Sequence, residues 1–141
     1  MNDPIPPKKI AHIGIAVQSI EKTIPFYTKH LGLELEKIED VLSEQVKVAF
    51  LKIGETRIEL LEPLNHSSAI YTFLQKKGEG IHHLAFEVTD LTSRLSKLKS
   101  EGIQVINGDP KKGANNSLIS FLHPQSTNGV LIELCEHHTK G

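Results

Sequence analysis

The strongest constraint on the fold of this chain is that its pattern is written twice. A histidine opens a strand-like segment, and about fifty residues later a glutamate lies near the end of another. In the first half these are His12, in Ile10-Ala-His-Ile-Gly-Ile-Ala-Val17, and Glu59, in Ile58-Glu-Leu-Leu-Glu62. In the second half they are His83, in Ile81-His-His-Leu-Ala-Phe-Glu-Val88, and Glu133, in Ile132-Glu-Leu-Cys-Glu136. His83 follows His12 by 71 residues, Glu133 follows Glu59 by 74, and the candidate helix stop Gly102 follows Gly32 by 70. Self-similarity of this kind implies two copies of one supersecondary unit, neither of which buries its hydrophobic face alone.

Periodicity and turn signals place the elements. Ile10–Val17 reads as a strand, and Ser19–Leu31 as a helix with Ser19 as N-cap and Gly32 as its stop. Pro25 is accommodated if the helix begins properly at Thr23, which puts the proline in the first turn. Leu33–Glu39, Val46–Ile53 and Thr56–Leu61 read as strands, the last two joined through Gly54-Glu55. Residues 65–80 connect the halves, with helical spacing over Ser68–Lys77. The order then recurs: strand Ile81–Val88, a helix Leu91–Glu101 capped by Asp90, a short strand Gln104–Ile106, a polar loop Asp109–Asn116, strand Ser117–Leu122, a turn at His123–Gly129 and strand Val130–Cys135. The expectation is a single α+β domain over 1–141. It holds two βαβββ modules, about 9–64 and about 80–136, joined by a helix at about 66–79. The modules pair into one eight-stranded curved mixed sheet with helices on the outer face, and residues 1–9 form a loose arm.

The bulk composition excludes several function classes. With 16 basic and 17 acidic residues the net charge is −1, so the basic excess of a nucleic-acid binder is missing. No run approaches the roughly 20 apolar residues that span a bilayer, and the N-terminal stretch holds no signal-like apolar run. The single cysteine, Cys135, rules out an intramolecular disulfide and suits a reducing compartment. A cytoplasmic protein without nucleic-acid or membrane partners is expected.

Strand alternation sharpens the repeated pair. His12 shares its face with Gly14 and Ala16, and His83 shares its face with Ala85, whereas Ile13, Ile15, Leu84 and Phe86 point the other way. Glu59 and Glu133 each sit between apolar neighbours that face a core. A buried carboxylate is costly unless it is paired or bound to a metal. The matched set His12, Glu59, His83 and Glu133 is therefore a candidate divalent-metal site shared by both modules. His82, on the opposite face, reads as structural or as a support for His83. His30, His66, His137 and His138 read as surface residues, and His123 as a turn residue. Lys111–Ser117 reads equally as a pocket-closing loop and as a solvated hairpin.

With these residues in view, Lys9–Glu136 resembles the vicinal oxygen chelate superfamily, and within it the methylmalonyl-CoA epimerases. The resemblance is carried by His12–Val17, Phe26-Tyr27 with Leu31-Gly32, Ser43–Phe50, Ile58–Leu64, Gly80–Phe86 and Phe121-Leu-His-Pro124 with Gly129–Leu134. It implies metal ligands at His12, His83 and Glu133, with Glu59 at the fourth position. The implied ion is divalent, cobalt first, with zinc, nickel and manganese as alternatives. The implied substrate is a CoA thioester, and the implied assembly a homodimer. The implied reaction interconverts the epimers of methylmalonyl-CoA by removing and returning one proton through a metal-stabilised thioester enolate. Two bases are needed; Glu133 is assigned to one face, and Glu59 or Glu44 to the other. Several epimerases carry glutamine where this chain has Glu59. Some are proposed to use a glutamate on the strand occupied here by Val46–Ile53, where this chain has Val48, which leaves Glu44 as a substitute. Glyoxalase I, which uses the same His, Glu, His, Glu set, and a metal-free binding module of the same fold are the alternatives.

Overall fold

Each half of the chain realises the repeat as strand, helix, strand, strand, strand. The computed structural model describes residues 3–137. The first half comprises β1 (Lys9–Ala16), α1 (Ile20–Pro25), β2 (Glu34–Val41), β3 (Val46–Ile53) and β4 (Thr56–Pro63). After the connecting helix α2 (Ala69–Lys77) come β5 (Gly80–Glu87), α3 (Leu91–Ser100), β6 (Val105–Lys112), β7 (Ser117–Leu122) and β8 (Ile132–His137). The eight strands form one mixed sheet in the order β2-β3-β4-β1-β5-β8-β7-β6. The chain divides into two compact units, His12–His83 and the remainder on either side of it.

In the unit His12–His83, β1 pairs with β4 in parallel, and β2, β3 and β4 form an antiparallel meander. One sheet face is closed by α1. Ile20 packs with Val17, Ala49, Leu51 and Leu60, flanked by Ile24 and Tyr27. Leu51 and Leu60 are fully buried, and burying a leucine of this kind stabilises the fold by roughly 1.5–3 kcal/mol. The other unit repeats the plan: β5 pairs with β8 in parallel, and β6, β7 and β8 form the meander. Here Leu91 and Leu95 of α3 pack with Val88, Leu122 and Leu134.

A second repeated glutamate explains how the helices are attached. The Ile20 N–H donates to Glu62 Oε1 at 2.8 Å, and the Leu91 N–H donates to Glu136 Oε1 at 3.1 Å. Each carboxylate meets orphan donors and the positive end of its helix. Side chains three apart on a strand point to opposite faces. Glu62 and Glu136 therefore reach the helix side, while Glu59 and Glu133 face away from it.

Four expectations need correction. Helix α1 begins at Ile20, not at Thr23, with Ser19 Oγ accepting from the Lys22 N–H at 3.1 Å. Pro25 ends its regular winding, and the chain continues as a π-turn over Phe26–His30, where the Leu31 N–H reaches the Phe26 carbonyl at 3.1 Å. A proline has no N–H for the regular bond and crowds the preceding carbonyl, which a wider turn relieves. Asp90 stands before α3 but in a left-handed conformation (φ 51°) without a side-chain cap, because Glu136 has taken that role.

Strand β6 runs on to Lys112, so much of the expected polar loop is strand. Its pairing with β7 breaks between Ile106 and Lys111. β6 lies at the sheet edge, where Asn107, Gly108 and Pro110 are absorbed by that irregularity. The arm is not loose: the Lys8 N–H bonds the Glu87 carbonyl at 2.8 Å, and Arg94 Nη1 donates to the Ile5 carbonyl at 2.7 Å. Among the described residues, no helix is long and apolar enough to cross a membrane.

Candidate metal and proton-transfer site

Strand β1 presents His12 and, two residues on, Gly14; parallel pairing with β4 sets Gly14 opposite Glu59. His12, Glu59 and His83 are buried, at 7%, 7% and 6% exposure. His12 Nδ1 lies 3.1 Å from Glu59 Oε2. His12 Nε2 lies 3.0 Å from His83 Nε2, and the two rings meet edge to face, with centroids 5.1 Å apart at 86°. His83 Nδ1 in turn lies 3.0 Å from His82 Nδ1. One assignment of protons satisfies this series. Nδ1–H of His12 donates to the Glu59 carboxylate, Nε2–H of His83 donates to His12 Nε2, and Nδ1–H of His82 donates to His83 Nδ1.

His82 is thus in ring contact with His83 and also edge-on to Phe73, at 5.0 Å and 87°. Consecutive side chains on a regular strand point apart. Strict alternation therefore does not hold at this pair, and the expectation that His82 faces away from His83 is corrected.

In the other unit Glu133 is 5% exposed on β8. Its register partners are Ala85 on β5 and Phe121 on β7. Glu59 has the equivalent pair, Gly14 on β1 and Phe50 on β3. The two carboxylates thus occupy the same slot of the repeat, each between a very small residue and a phenylalanine. Around the Glu133 slot Ala85, Ile119 and Cys135 form an apolar cluster with Phe121 packed against it. A carboxylate in such surroundings is stable there only when it is hydrogen-bonded, paired or bound to a metal. His12, His83 and Glu133 are all buried, and each offers a donor atom of the kind a divalent ion takes.

The remaining candidates lie elsewhere. Glu44 ends a 3-10 turn, Leu42–Glu44, and its carbonyl accepts from Ser68 Oγ at 3.4 Å. Phe50, the cross-strand partner of Glu59, is four residues beyond Val46, or about 13 Å along β3. Glu44 therefore sits at the end of that strand rather than beside Glu59. Val48, buried opposite Leu61, shares the Glu59 face. His123 Nδ1 accepts from the Gln125 N–H at 3.0 Å and organises the turn over Pro124–Ser126. His66 stacks on Tyr71, and His137 Nδ1 lies 3.2 Å from Glu87 Oε1. His138 lies outside the described residues. Sequence reasoning missed the helix-capping role of Glu62 and Glu136, although the repeated Glu-x-x-Glu spacing carries it.

A histidine and carboxylate set on paired βαβββ repeats defines a class, and comparison with known proteins agrees with it. Residues 11–121 match the family model of the glyoxalase/bleomycin resistance protein/dioxygenase superfamily, to which the chain belongs. Within it the chain is similar to the methylmalonyl-CoA epimerases. It is 39% identical over 128 residues to the ethylmalonyl-CoA/methylmalonyl-CoA epimerase of Cereibacter sphaeroides, covering 89% of this chain and 96% of that one. A variant of the Streptomyces coelicolor methylmalonyl-CoA epimerase, solved in complex with 2-nitronate-propionyl-CoA, superposes with a TM-score of 0.91 at 35% identity, covering 95% of this chain and 100% of that one. The uncharacterized protein YqjC of Bacillus subtilis is 44% identical over 128 residues, or 91% of each chain.

Proposed function

We propose that this chain is a metal-dependent epimerase that interconverts the two epimers of methylmalonyl-CoA. The observation that carries the reading is the pair of buried carboxylates, Glu59 and Glu133, held at the same register slot of each repeat. Epimerisation of a carbon between a thioester and a carboxylate requires a proton to leave from one face and return to the other. Two bases, one from each half of a duplicated fold, suit that task. Relatives named for this reaction and a related structure with methylmalonyl-CoA support the substrate class.

The donor set fits a divalent ion. Two imidazoles and two carboxylates, without thiolate, suit cobalt, zinc, nickel or manganese and do not choose among them; the likeness to the epimerases puts cobalt first. His12, His83 and Glu133 would hold it, with Glu59 as the fourth member of the set. Bound there, the ion supplies Lewis-acid stabilisation of negative charge on the thioester oxygen. The protein's own residues do the rest. Glu133 removes or returns the proton on one face, and Glu59 serves the other. Glu44 is the substitute for Glu59 only if its turn moves. Through His12 Nδ1, Glu59 also fixes the orientation of that ring, as the outer partners of metal-bound histidines do. A homodimer and a cytoplasmic location belong to the same proposal.

Replacement of Glu133 by Gln tests the assignment of the base. With fold and metal content preserved, incorporation of solvent deuterium into methylmalonyl-CoA is expected to fall by about 10²- to 10⁴-fold. Near-normal exchange would contradict it.

A further inference from the structure

We infer that Gly14 is a positioning residue for His83: its missing side chain is the space in which the imidazole ring lies. This inference rests on the metal reading above and concerns how one donor of that set is held. A Cβ built on Gly14 would fall 2.3 Å from Cε1, 2.6 Å from Nδ1 and 2.8 Å from Nε2 of His83, and these are its three nearest neighbours. The ring alone therefore imposes glycine.

Backbone conformation does not impose it, because Gly14 is not among the glycines with positive φ. Strand context does not either, since the second repeat carries Ala85 at the equivalent register slot. An ordinary van der Waals contact begins near 3.4 Å, so a methyl group at position 14 would push the ring by about 1 Å. The ring cannot yield cheaply, because Nε2 faces His12 and Nδ1 faces His82, each at 3.0 Å. Displacement by 1 Å takes a donor atom out of the tolerance that a pre-organised site allows.

The test is a thermodynamic cycle combined with cobalt titration. Wild type, Gly14→Ala, His83→Ala and the double variant are compared for melting temperature without metal. Wild type and Gly14→Ala are titrated with Co²⁺ by calorimetry, and the visible absorption of the bound ion is recorded. The expected result has two parts. Gly14→Ala lowers the melting temperature when His83 is present and not when it is alanine. It also weakens Co²⁺ binding by about 10- to 100-fold, with a changed spectrum, the range seen when outer support of a metal site is lost.

If Gly14→Ala alone does not fold while the double variant does, the coupling is established in its strongest form. Equal destabilisation in both backgrounds, or an unchanged affinity and spectrum, would overturn the inference. Failure of the wild type to bind Co²⁺ would count against the metal reading instead, and the metal-free cycle would still decide whether Gly14 makes room for the ring.

Discussion

At the scale of single residues, the site is a series of polar contacts inside apolar surroundings. Glu59, His12, His83 and His82 follow one another at 3.0–3.1 Å, and each ring nitrogen used has a defined partner. Metal-bound histidines usually donate their outer N–H to a neighbour that fixes tautomer and orientation. His82 stands at that outer nitrogen of His83. His82→Phe is expected to weaken Co²⁺ binding by about 10-fold or more; His82→Gln, whose side-chain oxygen can accept from Nδ1–H of His83 once His83 Nε2 is given to the ion and its proton sits on Nδ1, is expected to restore much of it. Equal affinity in wild type and His82→Phe would show that the contact is only packing. His12, Glu59, His83 and Glu133 were legible because each type recurs at matched places in the two halves. The contact of His82 with His83 was not, since alternation along an ideal strand separates neighbours and the real strand departs from it here.

At the scale of elements, the glutamates that end β4 and β8 attach the helices. Loss of an N-terminal acceptor typically costs about 1 kcal/mol. Glu62→Ala and Glu136→Ala, which remove the acceptor, are each expected to lower unfolding free energy by that order in denaturant titration, without weakening metal binding. No stability change in either would remove the capping argument.

A smaller effect belongs to β2. Glu36 sits where the pairing of β2 with β3 shifts, and Arg57 Nε donates to its Oε1 at 2.6 Å. That hydrogen bond, with the charge of Arg57, holds the Glu36 carboxyl below its ordinary range. A lowered carboxylate pKa gives stability that is present above the unfolded-state pKa and lost as pH falls through the folded one. Glu36→Gln should therefore cost a little stability at neutral pH and progressively less on acidification; the pair is partly solvated, so the effect is small. A difference that grows toward low pH would contradict this.

Strands β3 and β7 were legible to the residue because their apolar runs end at turn signals. β6 was not, because an edge strand needs only one partner and tolerates Asn, Gly and Pro where a central strand does not. The start of α1 was misplaced by treating Pro25 as a first-turn residue, whereas a π-turn lets it close the regular segment.

At the scale of the whole molecule, duplication explains why the fold class was readable from a single sequence. The offset that matches His12 to His83 also matches Gly14 to Ala85 and Phe50 to Phe121, so the register of one unit follows from the other. The chemistry was less accessible. Two histidines and two glutamates on this fold suit proton transfer on a glutathione hemithioacetal as well as on a CoA thioester, and the choice rests on the substrate. Turnover of the hemithioacetal of methylglyoxal at a rate above that with methylmalonyl-CoA would favour the glyoxalase reading.

The proposed reaction exchanges with solvent the proton on the carbon between thioester and carboxylate. It is tested most directly by proton NMR of one methylmalonyl-CoA epimer in heavy water with the cobalt-supplemented protein. The expected result is loss of the signal of that single proton, with collapse of the adjacent methyl doublet, at a rate proportional to protein and far above the protein-free control. Retention of the doublet at the control rate, in a protein shown to be folded and to hold its metal, would contradict the account.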